Sequence, residues 1–491
     1  MYSGAGFSDW EIGDITVYKH NDEYHLFHLI IPNHDYIAHA VSTDGLTWRR
    51  TKNAVFVGDP GEWDDDMLWT MHVFSSDGKF FMYYTGLQRE HKGINSKIGL
   101  ATSDDLVHWT KVQHEELPIE IKSGFYECLD ENPRGWLSFR DPFYFKHNGD
   151  SYILFCGRKN YGPVSRRGCV GLLKIEDGKY IMQDSLIYPG VYDDVECPCI
   201  FELDNRFYLI GSIREDVKVR YWVSDQFKGL YKTFHSDFLL PEGNYAARTV
   251  LDGNHLLLYN FFFTHGAINS LRVLPPPKEL ATDSVGRLVL KSFYRWEQMV
   301  INKIFQKDFG IPVRLLKNAT ASFENSESSW ICSSESGYEI FYFEQPSDNF
   351  IWEGNIRNTG LGKFGFVVHI DQEGNGYFIS IDLIEGFIQL RSWGFNPENN
   401  RENFIFNNLQ TNICIVPASG SIHFKLICYG NYIEFSVDGE VKLTLMDYTW
   451  NGMGIGLYTT ASSIILKDSI VKTLPQVQHE YASQEVAQKN M

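Results

Sequence analysis

Basic residues are scarce in this chain. Its 44 Lys and Arg stand against 62 Asp and Glu, for a formal net charge of −18. Such a surface repels phosphate backbones and anionic headgroups, which argues against nucleic acid or membrane partners and for a neutral ligand. Long apolar runs are lacking too: no stretch reaches the ~18 residues of a membrane span. The opening M-Y-S-G-A-G-F-S-D-W has neither the basic nor the apolar segment of a secretory signal, so the expectation is a cytoplasmic protein. Cysteine is sparse, 8 in 491 residues. The close pair Cys197 and Cys199 is C-x-C, with no second Cys/His pair to complete a zinc set. Buried free thiols in a reducing compartment are expected, with no metal and no cofactor.

Aromatic rings are abundant, with 12 Trp, 27 Tyr and 35 Phe making 15% of the chain. Rings favour strands, and they also stack on sugar faces. Helical periodicity is poor between residues 13 and 300, where a strand-only unit recurs. The first copy is I-T-V-Y-K-H-N-D-E-Y-H-L-F-H-L, closing at Trp48. The second is H-V-F-S-S-D-G-K-F-F-M-Y-Y-T-G, closing at Trp109. Three more begin at D-P-F-Y-F, C-I-F-E-L and A-R-T-V-L. The turns H-N-D, D-G, N-G, D-N and D-G sit where tight hairpins need positive φ. Five copies of a unit of roughly 40–60 residues imply a five-bladed β-propeller. From about Thr320 alternating strands take over, among them Phe364 to Ile370, Gly376 to Asp382, Tyr432 to Val437 and Met453 to Tyr458. Their spacing implies a C-terminal β-sandwich. The expected layout is an all-β chain: propeller 1–300, linker 301–319, sandwich 320–475 and polar tail 476–491.

Three acids stand at the start of propeller strands: Asp14 in G-D-I-T-V-Y, Asp141 in F-R-D-P-F-Y-F and Glu196 in D-V-E-C-P-C-I-F. The first strand of each blade lines the central channel, so the three carboxyl groups are expected to converge at one end of it. Paired carboxyls in an aromatic pocket are what glycoside hydrolysis needs, one to protonate the leaving oxygen and one to attack or to activate water. Trp10, Trp69, His72, Arg140 and Tyr245 are candidates to line that pocket, Arg140 either alternating to the other face of its strand or turning to brace a carboxylate. Trp48 and Trp109, ending similar turns, are expected to pack within blades.

These motifs resemble glycoside hydrolase family 32, the invertase, inulinase and levanase group, over nearly the whole chain. Phe139–Pro142 resembles the family's R-D-P motif, D-V-E-C-P its E-C motif, and Pro277–Leu280 its P-R-E-L-like segment. Tyr245–Arg248 resembles the blade-five loop that faces the site. The resemblance implies Asp14 as nucleophile, Glu196 as general acid/base and Asp141 as stabiliser of the transition state. Glu196 would then have to hold a proton near neutral pH, through burial or like charge from Asp193 and Asp194. The chain departs from the family at the first motif, where W-E-I-G-D-I-T stands in place of W-M-N-D-P-N-G. The implied activity is release of terminal furanosides from small oligosaccharides with retention. Alternatives are an arabinofuranosidase-like or other furanosidase of the same propeller group, with inversion, and a non-catalytic carbohydrate-binding propeller.

Overall fold

The computed structural model of the protein describes residues 2–4, 11–122, 124–131, 134–263, 272–326, 329–395, 404–415 and 420–476. It is nearly all β. Five antiparallel meanders follow one another in the chain, opening with the strands Glu11–His20, Met67–Ser76, Arg140–His147, Glu196–Leu203 and Asn244–Asp252. Those five strands pack side by side around a channel, and the fifth meets the first. This is the five-bladed propeller.

The hairpins form where the sequence supplies residues that accept a left-handed backbone. Asn21, Asp77, Asn148, Asp204 and Gly253 all have positive φ, between 49° and 60°. The outer turns of blades one and two are also alike. Asp44 and Asp105 each accept two backbone N–H groups through Oδ1, at 2.7–2.9 Å, which folds the chain toward Trp48 and Trp109. Trp48 is buried against Tyr24 and Tyr259, and Trp109 packs on Phe27, so both rings serve blade packing. The ring is closed by Asp252 at the end of the fifth innermost strand. It accepts from Lys19 and Tyr24 of blade one, and from Tyr294 (2.5 Å) and Arg295 (3.0 Å) just past blade five.

The C-terminal half is one thirteen-stranded, nearly closed sheet folded as a sandwich. Its organiser is the strand Gly454–Thr473, far longer than the stretch to Tyr458 expected from sequence. Its first part pairs with Phe364–Ile370 and its last part with Phe350–Asn358, while Ser329–Glu344 runs along its other edge. Ala461, with φ 49°, lies between the two parts, where the strand passes from one layer to the other. The segment expected as linker is stitched into this sheet: Asn302–Phe305 pairs with the end of the long strand, and Val313–Arg314 with Ser329–Glu344. Among the described residues, no helix is long and apolar enough to cross a membrane.

Candidate active site

Each innermost strand carries a register shift near its start, between Ile12 and Ile15, Trp69 and Met71, Arg140 and Phe143, Glu196 and Cys199, and Tyr245 and Arg248. Such bulges re-aim the side chains beside them. Counted back six residues from the strand ends, the five blades present Asp14, Thr70, Asp141, Cys197 and Ala246. One residue earlier they present Gly13, Trp69, Arg140, Glu196 and Tyr245. Two adjacent rings of side chains therefore build the site. Asp14 and Asp141 share one ring. Glu196 stands in the other, one residue off the match expected from the sequence.

In its ring Glu196 is held from both sides. The Arg140 Nη2–H group donates to Oε1 at 2.6 Å, and the Tyr245 hydroxyl donates to Oε2. In the other ring the Thr70 hydroxyl donates to Asp14, and the Cys197 backbone N–H donates to Asp141 at 2.9 Å. Asp141 and Cys197 have positive φ, 61° and 51°, a strained backbone kept at the mouth of the site. The Asp141 N–H is satisfied by the Thr85 hydroxyl of blade two at 3.1 Å. Burial pushes the Asp14 carboxyl above the usual carboxylate range, and the Glu196 charge adds to it against the Thr70 hydrogen bond. Burial likewise raises Asp141, with Arg140 opposing and Asp14 adding to the rise.

Arg140 braces more than one group. Nη2 also reaches Asp194 at 3.0 Å and Nη1 donates to Ser138 at 2.9 Å. Asp193 and Asp194, expected as like-charge neighbours of Glu196, are instead each matched to arginines. Arg134 lies 2.5 Å from Asp193 and 3.2 Å from Asp194. Burial raises the Asp194 carboxyl, but Arg140, Arg134 and the Ser138 hydroxyl together outweigh it and hold it below its ordinary range.

The remaining candidates divide. Trp69 is half-buried, in the ring of Glu196, with its apolar side against the core shared by blades one and two. His72 stands two residues past Thr70 on its strand and is half-buried. Its ring stacks on Phe143 at 4.0 Å and its Nδ1 accepts the Tyr144 N–H at 2.9 Å, which makes it a packing residue between blades two and three. Trp10 lies outside the described residues. Thr70 and Ser138 carry no motif in the sequence, because their role comes from neighbouring blades; Asp194 stands beside the E-C motif, but its pairing with Arg140 and Arg134 does not show there. Arg248, buried behind Cys197, donates to the Cys197 and Pro198 carbonyls and fixes the bulge of blade four. Asp14, Asp141 and Cys197 bring their donor atoms within 4.8 Å of one another. Both carboxyls are committed to hydrogen bonds and burial pushes the Cys197 thiol far up, so the set does not fit a metal centre.

A propeller whose channel mouth gathers three carboxyls, an arginine and a tyrosine has the build of a glycoside hydrolase. Residues 14–257 match the Glycosyl hydrolases family 32 N-terminal domain, and the chain is a family 32-like protein. It is similar to a levanase of Bacillus sp. (strain L7), 37% identical over 127 residues, which is 24% of this chain and 13% of the relative. It is similar also to a 6(G)-fructosyltransferase of Asparagus officinalis, 32% identical over 206 residues, which is 38% of this chain and 31% of the relative. The matched stretches thus span under a third of these relatives' length. Among solved structures, the exo-inulinase of Aspergillus awamori superposes with a TM-score of 0.67 at 14% identity, covering 95% of this chain and 96% of that one. That likeness extends the shared fold across both halves of the chain.

Proposed function

We propose that the protein is a retaining glycoside hydrolase that releases terminal furanosyl units, β-fructofuranosidase-like, from short oligosaccharides. The observation that carries this reading is the pair of side-chain rings, with Asp14 and Asp141 in one and Glu196, gripped by Arg140 and Tyr245, in the next. Asp14 attacks the anomeric carbon as the bond to the leaving oxygen breaks, and Glu196 gives that oxygen its proton. Asp141 accepts hydrogen bonds from ring hydroxyls that strengthen as positive charge grows at the anomeric centre. Water then loses a proton to Glu196, its oxygen takes the anomeric carbon, and Asp14 is released. A sugar hydroxyl can replace water in the second step, and the similarity to a fructosyltransferase makes transfer products worth measuring. The test is turnover of sucrose, inulin and levan oligomers and aryl furanosides, with the first-formed anomer followed by NMR. Retained configuration on at least one furanoside is expected. Inverted product, or no turnover on the whole panel, overturns the reading.

A further inference from the structure

The ion pairs behind Glu196 form a chain of alternating sign. It runs from Glu196 through Arg140, Asp194, Arg134 and Asp193 to Arg158, and most links are 2.5–3.2 Å long. Asp194 is 2% exposed. It shares the Arg140 Nη2–H group with Glu196 itself, and its other oxygen accepts the Ser138 hydroxyl at 2.9 Å. A general acid beside an unscreened arginine would give up its proton too readily to protonate a leaving group at neutral pH.

We infer that Asp194 is a positioning residue for the acid/base step: by drawing on the same guanidinium, it sets how strongly Arg140 pulls on Glu196 and so fixes the upper edge of the pH range of activity. The inference rests on the proposed role of Glu196. Other charged and titratable groups also face Glu196. Asp141 and the Cys156 thiol come from blade three, Asp14 from blade one, Tyr245 from blade five and Cys197 from its own strand. Asp194 touches both Arg140 Nη2 and Arg134 farther out.

The test is the pH profile of kcat/KM for Asp194→Asn, which keeps the shape and the acceptor oxygen but removes the charge. The basic limb moves to lower pH by roughly one unit, the scale of a neighbouring charge. Above the limb that is about a ten-fold loss on substrates with poor leaving groups and little loss on aryl furanosides. Asp194→Glu restores the limb. A merely structural role would lower activity by one factor at every pH and on both substrate types, and that outcome overturns the proposal. Arg134→Gln gives the opposite sign: with Asp194 no longer shared outward, the limb moves to higher pH. If Asp194→Asn does not fold, this variant decides, and an unmoved or lowered limb overturns the proposal. If no furanoside is turned over, the proposed function fails separately. The Glu196 carboxyl is then titrated directly by carbon-13 NMR, assigned with Glu196→Gln, and an unmoved midpoint in Asp194→Asn overturns the proposal.

Discussion

At the residue scale the site sets catalysis against stability. Asp14 is a carboxyl raised by burial and by the charge of Glu196. Because its folded value lies above the unfolded one, its contribution is fully favourable only below the unfolded value and is lost as pH rises through the folded one. At neutral pH, above the unfolded value, the buried Asp14 carboxyl therefore costs stability. Asp14→Asn should abolish turnover by roughly 10³-fold or more, yet raise the melting temperature at pH 7 by about 1–3 °C. An unchanged or lower melting temperature would mean that the carboxyl is not under strain. Glu196→Gln should lose as much activity on natural glycosides and recover much of it on aryl furanosides, since a good leaving group needs no proton. Equal losses on both substrate types would break the assignment of roles. Gly13 bears on specificity. A Cβ there would lie 2.8 Å from Leu29 Cβ and 3.1 Å from Ile31 Cδ1, so no side chain fits. Ile15, Thr16 and Val17 beyond it are buried as well. Where the family motif sets an Asn beside its nucleophile, Gly13 offers no side chain, and a hydroxyl left unpaired in a closed site costs about 1–3 kcal/mol. Sucrose should be a poor substrate beside another furanoside or fructan linkage. A sucrose kcat/KM on the order of 10⁴ M⁻¹s⁻¹ or more would refute this.

At the scale of elements, the blades were legible because their turns need particular residues. Asn21, Asp77 and Asn148 adopt the left-handed backbone that a period-two strand pattern flanked by N-D, D-G and N-G demands. What could not be read was anything fixed across blades: the one-residue offset of Glu196, the Thr70 hydroxyl on Asp14, and the arginine ladder behind Asp194. Each depends on which strands become neighbours, and a bulge shifts a side chain without leaving a mark in composition. The long C-terminal strand was cut short for a related reason, since its second half, S-S-I-I-L-K-D, alternates poorly around a change of layer. Blade one holds a further feature that periodicity hides. His25 and His39 are buried side by side, with nitrogens 3.0 Å apart and the His39 ring stacked on Phe27. Burial pulls His25 down to about 4 and His39 down to about 3. Folded pKa values below the unfolded one mean that the unfolded chain takes up protons first, so stability is full above pH 6.5 and falls as pH drops toward 4. Each histidine contributes about 1.4 kcal/mol per pH unit in that window. In His39→Phe, urea unfolding measured from pH 7 to pH 4 should show a slope lower by about one proton. An unaltered slope would place the acid sensitivity elsewhere.

At the scale of the whole molecule, the two halves share one interior. Phe293 and Trp296, just past blade five, are buried in the same apolar cluster as Tyr429 and Tyr432 of the sandwich, and the Trp296 ring meets Tyr429 edge-on at 5.2 Å. Polar groups cross the seam as well. Arg287 reaches Glu440 at 3.0 Å, Lys472 reaches Glu297 at 2.7 Å, and the Ser292 hydroxyl donates to the fully buried Glu434 at 2.5 Å. Inter-domain contacts inside a chain are more often small and polar, which lets domains unfold separately. Here the apolar seam is continuous with both cores, and Asn302–Phe305 and Val313–Arg314, just past blade five, are paired into the second sheet. Unfolding should therefore be a single cooperative transition, with calorimetric and van't Hoff enthalpies in agreement. Trp296→Ala removes a large ring from the seam, at a cost of about 3–5 kcal/mol. It should move that single transition down intact, with probes in the propeller and in the sandwich melting together. Two resolved transitions in the parent protein, or a variant in which only one half loses stability, would show that the halves are energetically separate despite the shared core.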